Sequence, residues 1–139
     1  MSSKSTRVRP RPILAAVLVA VVSACANRPP PDLAQLDGAW EGRAVRSRGD
    51  NSCPAVVPYR MQIKDGNIAG EIYHYRTPGL VVETFEAYIE TDGEMIARAR
   101  PFGDDTTIRG YFRDGVFSGE TNSESCTNKI SLRPQRVAR

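Results

Sequence analysis

From Asp37 onward the chain alternates. Tyr59, Met61 and Ile63 fall on one side of a two-residue period, and Arg60, Gln62 and Lys64 on the other. The same rhythm sets Phe85, Ala87 and Ile89 against Thr84, Glu86 and Tyr88, and Ile108, Gly110 and Phe112 against Arg109, Tyr111 and Arg113. A period of two sends successive side chains to opposite faces of a strand, so each stretch reads as a strand with one buried face. Eight such strands are expected, over 39–47, 56–64, 67–76, 81–90, 94–100, 106–113, 116–121 and 126–133. No stretch after Cys25 holds a helical period over three turns.

Asp-Gly pairs punctuate the pattern at Asp37-Gly38, Asp65-Gly66, Asp92-Gly93 and Asp114-Gly115. Asp and Gly tolerate the positive φ that two-residue hairpins demand, so the last three pairs predict tight hairpins. The segment Asp65–Glu71 matches Asp114–Glu120 at both glycines and both acids, and Asp92–Arg98 is a looser third copy. The second glycine of the echo, Gly70 or Gly119, lies inside a strand and predicts a bend or a close backbone approach. A phosphate cradle is excluded, because no helix follows these glycines. Eight strands joined mostly by hairpins predict an all-β fold, a small antiparallel up-and-down barrel, with a β-sandwich as the runner-up. An eight-stranded barrel is just wide enough inside for side chains. Met61, Ile63, Ile68, Ile72, Phe85, Ile89, Ile108 and Phe112 are the expected filling.

The N-terminus follows a different pattern. Lys4, Arg7, Arg9 and Arg11 precede ten apolar residues, Ile13 to Val22, with no acid before Cys25. A membrane-spanning helix needs about 20 apolar residues, so this run is the length of a secretory signal core. Val22-Ser23-Ala24-Cys25 closes it. The stretch resembles the bacterial lipoprotein signal family at each restricted position: an aliphatic, two small residues and the obligate cysteine. That resemblance implies cleavage between Ala24 and Cys25, with diacylglyceryl transfer to the Cys25 thiolate and acylation, by palmitate or a similar chain, of its freed amine. Two or three acyl chains give stable anchoring where one is marginal. By the same resemblance, Ala26 after the lipid site, rather than Asp, favours sorting to the outer membrane with the domain facing the periplasm, the inner membrane and the cell surface being the alternatives. The domain plan is then a signal peptide over 1–24, the lipidated Cys25 with a proline-rich tether over 25–36, a barrel over 37–133 and a basic tail over 134–139. Pro29, Pro30 and Pro31 favour an extended polyproline strut holding the domain off the bilayer.

Cleavage changes the charge argument. The full chain carries 19 Lys and Arg against 16 Asp and Glu. The signal removes four bases and no acid, so the remainder has one more acid than bases, and no case for nucleic acid is left. Arg133, Arg136 and Arg139 form a small basic tail, read as a solvated end. With Cys25 taken by lipid, Cys53 and Cys126 remain. An even pair in an oxidising compartment predicts a disulfide, and in a closed barrel it would staple the seam where first and last strands meet.

Gly38-Ala39-Trp40 opens the first strand. Here the chain resembles the calycins (lipocalins, fatty-acid-binding proteins and avidins), whose first strand often begins Gly-x-Trp. In that family the Trp plugs one barrel end and packs near a basic residue of the last strand, a role that Trp40 and Arg133 would take. The chain is short for a lipocalin and carries no other lipocalin motif. In size and location it is also similar to bacterial periplasmic barrels that inhibit proteases through an N-terminal segment, though the long Cys53–Cys126 span departs from their short disulfide loop.

Catalytic chemistry finds little support. His74 is the single histidine, which excludes paired-histidine metal sites and most triads. It reads as an ordinary strand histidine, with contact to a ligand at the barrel mouth as the sharper alternative. Asp104-Asp105 with Asp114 lack the ligand spacing of a known calcium loop. Glu83, Glu86 and Glu90 are indistinguishable from a polar sheet face. No nucleophile elbow or P-loop is present. The candidate ligand or barrel-end residues are therefore Trp40, His74 and Arg133, with no catalytic residue, metal or cofactor. The expected function is that of a membrane-anchored, non-catalytic binding module for an envelope protein. The alternatives are a carrier of a small apolar ligand, as the calycin resemblance implies, and a periplasmic protease inhibitor.

Overall fold

The computed structural model describes residues 31–136, apart from the side chain of Arg76. The signal segment 1–24, the lipidation residue Cys25, the start of the tether and Arg139 lie outside the described residues. Eight antiparallel strands form one sheet. They are β1 Gly38–Arg48, β2 Val56–Lys64, β3 Asn67–Arg76, β4 Gly79–Tyr88, β5 Glu94–Ala99, β6 Thr106–Arg113, β7 Val116–Asn122 and β8 Thr127–Pro134. Each lies within about two residues of the expected span, because period-two burial is a strong signal and only strand ends fray. β2 alternates buried and exposed over its whole length. The sheet order is β4-β3-β2-β1-β8-β7-β6-β5, and the sheet curls into a nearly closed barrel rather than a two-sheet sandwich.

The joint of that barrel is not where it was expected. β1 and β8 are neighbours, but their ladder is continuous from Trp40–Pro134 to Arg48–Thr127, with one irregularity between Arg46 and Arg48. The two ends of the sheet are β4 and β5. Among the described residues strand pairing joins them only at the isolated bridge Ile89–Met95, beside which the Glu90 N–H donates to the Glu94 carbonyl at 2.8 Å. The cause lies in β5, which has 6 residues against 10 in β4. Pro101, without an N–H and with a fixed φ, then turns the chain out of the sheet into the 3-10 turn Pro101–Gly103. Beyond Ile89 no ladder joins β4 to β5 among the described residues, although the two strands still begin side by side. The disulfide Cys53–Cys126, with Cα atoms 5.8 Å apart, links the β1–β2 and β7–β8 loops. It therefore braces the barrel wall opposite the seam and does not staple it.

The two barrel ends differ. One end holds the Asp-Gly turns. Asp65 and Gly66 have φ of 49° and 78°, and Asp114 and Gly115 have 53° and 73°, so these two copies of the echo are hairpins of one backbone conformation. Asp92-Gly93 departs from the expected tight hairpin: only Gly93 has a positive φ, and the turn is longer, closed by the Glu90 N–H on the Glu94 carbonyl. The mid-strand glycines answer a different need. A Cβ on Gly70 would lie 2.0 Å from the Phe85 ring across the ladder, so its absence lets that ring lie over the strand. At this same end Leu33–Leu36, assigned from sequence to the tether, is a 3-10 turn packed on the barrel. Asp32 caps it by accepting from the Ala34 N–H at 3.1 Å. Leu33 and Leu36 are apolar, and the barrel mouth offers them somewhere to be buried.

Candidate functional site

The interior is occupied. Ile63, Ile72, Met95, Ile108, Phe117 and Leu132 are fully or almost fully buried, and all eight residues expected to fill the barrel are core residues. Phe112 stacks edge-on to Trp40 with ring centroids 5.2 Å apart and lies 4.8 Å from Phe117. Tyr59 is also inside, and burial pushes its phenol up to about 12, against a smaller opposing effect of the Thr121 hydroxyl.

The three candidate ligand residues are not brought together. Trp40 is buried at the hairpin end, where its Nε1–H donates to the Leu36 carbonyl at 2.8 Å. Arg133 stands on the outer face, registered opposite Glu41 rather than beside the indole. His74 lies inside the opposite, loop end, with its ring 4.3 Å from Phe102. Phe102 has a φ of 60°, unusual for an aromatic residue, and belongs to the Pro101–Gly103 turn. The three aspartates are separated too: Asp104 and Asp105 precede β6 and Asp114 follows it, at opposite barrel ends. Among the described residues no group of His, Cys, Asp or Glu is arranged to hold a metal. No helix among them is long and apolar enough to cross a membrane.

The feature that stands out is on the outside. Tyr75 is 82% exposed, Leu80 52% and Val82 43%, and Val45 and Val56 are also exposed. The ladder holds these together, since Tyr75 pairs with Leu80, Tyr73 with Val82, and Val45 with Val56. A shallow groove of about 1110 Å³ runs across this face, with Val56, Pro58, Tyr73, Tyr75 and Leu80 on its apolar part. Arg43, Arg60, Arg133 and Arg136 line the remainder. The Arg60 guanidinium lies over the Tyr73 ring at 5.4 Å, and the Tyr73 hydroxyl donates to the Glu71 carboxylate. That hydrogen bond, with burial and the charge of Glu71, raises the Tyr73 phenol above its ordinary value. Single exposed apolar residues are ordinary on a protein surface, whereas a contiguous set with a polar rim marks an interaction site.

Sequence reasoning missed this face. Its signal was a breach of alternation: Leu80-Val81-Val82 is apolar at both parities, which a strand with one wet face does not need. No family model matches the chain, and no match was found among curated proteins.

Proposed function

We propose that this protein is a lipid-anchored envelope lipoprotein, and that its barrel is a non-catalytic docking module for a protein partner. The observation that carries the docking part is the apolar outer face of Tyr75, Leu80, Val82, Val45 and Val56, set on a barrel whose interior is already filled. A filled interior leaves binding energy to be found outside, and exposed tyrosines with neighbouring arginines are the residue types that dominate protein interfaces. The anchoring part rests on the resemblance of Val22-Ser23-Ala24-Cys25 to a lipoprotein signal, and Ala26 after it supports sorting to the outer membrane with the domain facing the periplasm. The tether joins the barrel at the hairpin end, while Tyr75 and Leu80 sit near the loop end. That arrangement favours a partner away from the anchoring bilayer.

Two experiments test the two parts. Replacing Cys25 with serine should leave an unprocessed precursor that takes up no radioactive palmitate, and label entering the variant would overturn the anchor. A photo-crosslinking side chain at position 75 should give one discrete adduct in intact cells, absent when the crosslinker stands at exposed Glu120 on β7. No adduct at position 75 would remove this docking face. A small apolar molecule retained in native mass spectrometry of the purified protein would instead support the carrier.

A further inference from the structure

The docking face ends at a strand edge, β4, that pairs with no strand among the described residues short of Ile89. The Ile89 N–H donates to the Gly66 carbonyl at 2.8 Å, in register with the β3–β4 ladder. In an antiparallel pair alternate residues direct both backbone groups at the partner strand, and the residues between direct theirs away. Ala87, Phe85, Glu83 and Val81 therefore bond to β3. Leu80, Val82, Thr84 and Glu86 turn their N–H and C=O groups towards the seam, where among the described residues no strand pairs with them. Leu80 and Val82 are also the exposed apolar residues of the outer face. An apolar strand with a free edge is a template for another strand unless a protein blocks it with lysine, proline, a bulge or an inward-pointing charge. β4 has no lysine or proline, and its charges, Glu83 on the inner face opposite Ile72 and Glu86 on the outer face, bar a strand that does not neutralise them.

Charge selects the occupant. From Thr77 to Ala97 the chain carries Glu83, Glu86, Glu90, Asp92 and Glu94 and no Lys or Arg. Glu94 is matched by Arg109, whose Nε donates to it at 2.6 Å. Neither Glu83 nor Glu86 has an ion pair among the described residues. A strand laid beside β4 would place side chains opposite both. A second copy of β4 brings the same carboxylates and no base, so self-pairing is disfavoured.

We propose that the free edge of β4 takes up an extended segment of a partner protein by strand addition. The segment is apolar where it flanks Leu80 and Val82 and carries Lys or Arg opposite Glu83 and Glu86. This deepens the docking function and rests on it. Main-chain hydrogen bonds would supply the affinity, and the two carboxylates the choice of partner.

The test is amide hydrogen exchange on the purified protein with capped synthetic strand peptides of valine and threonine. One peptide carries two lysines three residues apart, one carries two glutamates there, and one is the lysine peptide N-methylated at alternate residues. In the free protein the amides of Leu80, Val82, Thr84 and Glu86 should exchange quickly, while those of Val81, Glu83 and Phe85 are protected. Saturating lysine peptide should slow the first set about tenfold or more. The glutamate peptide should bind about tenfold more weakly, since two attractive cross-strand pairs become repulsive. The N-methylated peptide should not bind, and Glu83→Lys with Glu86→Lys should invert the preference. Edge amides already protected in the free protein, lysine peptide that fails to bind, or binding that leaves those amides unchanged would each overturn strand addition. If that happens while position 75 still crosslinks to one envelope protein, the docking function stands and only the edge is excluded.

Discussion

The Cys53–Cys126 bond should be the largest single covalent contribution to the stability of the barrel. It joins residues 73 apart in sequence. Closing a loop of that length in the unfolded chain removes conformational entropy worth about 4 kcal/mol. The native side of the balance changes little on reduction. The Cys53 loop keeps its own bonds, from Arg46 Nη1 to the carbonyls of Asp50 at 2.8 Å and Cys53 at 2.9 Å. The ladder between β1 and β8 is complete without the sulfurs. Replacing both cysteines with alanine should thus cost about 2–4 kcal/mol, the lower figure allowing for residual structure in the unfolded chain. A domain of this size then loses roughly 10–20 °C in melting temperature. Urea titration separates the cause. If the bond acts on the unfolded state, the oxidised protein exposes less surface on unfolding and has the smaller m-value, while the double variant matches the reduced parent. Equal midpoints with and without reductant, or two titratable thiols in the untreated protein, would refute the reasoning.

Tyr59 gives a pH prediction. Its phenol is raised to about 12 in the folded state against 10.0 for the free group, so the unfolded chain releases its proton first. Stability should be complete below pH 10 and fall by up to about 3 kcal/mol as pH rises to 12. Absorbance titration at 295 nm should show one tyrosine ionising last, lost in Tyr59→Phe; a single transition near pH 10 for all five tyrosines would contradict this. Gly70→Ala should destabilise by about 1–3 kcal/mol, because its Cβ would meet the Phe85 ring. The companion Phe85→Leu should recover part of that loss in a double-variant denaturation series, and additive losses would argue against the contact. Trp40→Phe should cost about 1 kcal/mol by deleting the donor to the Leu36 carbonyl, read from urea unfolding by circular dichroism; an unchanged midpoint would show that the turn is held by packing alone.

The barrel was legible because its information is local. Tyr59, Met61 and Ile63 announce an inner face in five residues, and Asp65-Gly66 announces the turn that follows. The seam was not, because which strands lie at the edges depends on strand lengths and on how Pro101 diverts the chain, a property of the assembled sheet. Leu33 and Leu36 were hidden for a related reason: four residues cannot show a period, and their burial depends on the barrel end they meet. Arg133 carried a misleading signal, since its neighbour Leu132 points inward and a strand cannot point both ways. Tyr75 and Leu80 read as unremarkable until pairing set them beside Val82 and Val56 on one wet face.

The position of the seam also bears on chain connectivity. The first and last strands, β1 and β8, lie side by side, with the Gln135 N–H donating to the Ala39 carbonyl at 2.7 Å. The sheet is interrupted at the far side, between β4 and β5. A circular permutant that joins the ends of β8 and β1 through a short linker and begins at β5 would cut the sheet where it is already divided. Its strands would then run across the sheet in simple chain order, from β5 to β4. The one long-range ladder among the described residues, β1 with β8, would become a hairpin, and the mean sequence separation of contacts would fall. Folding rate rises as that separation shrinks, so the permuted barrel should fold faster than the natural chain while keeping the same core.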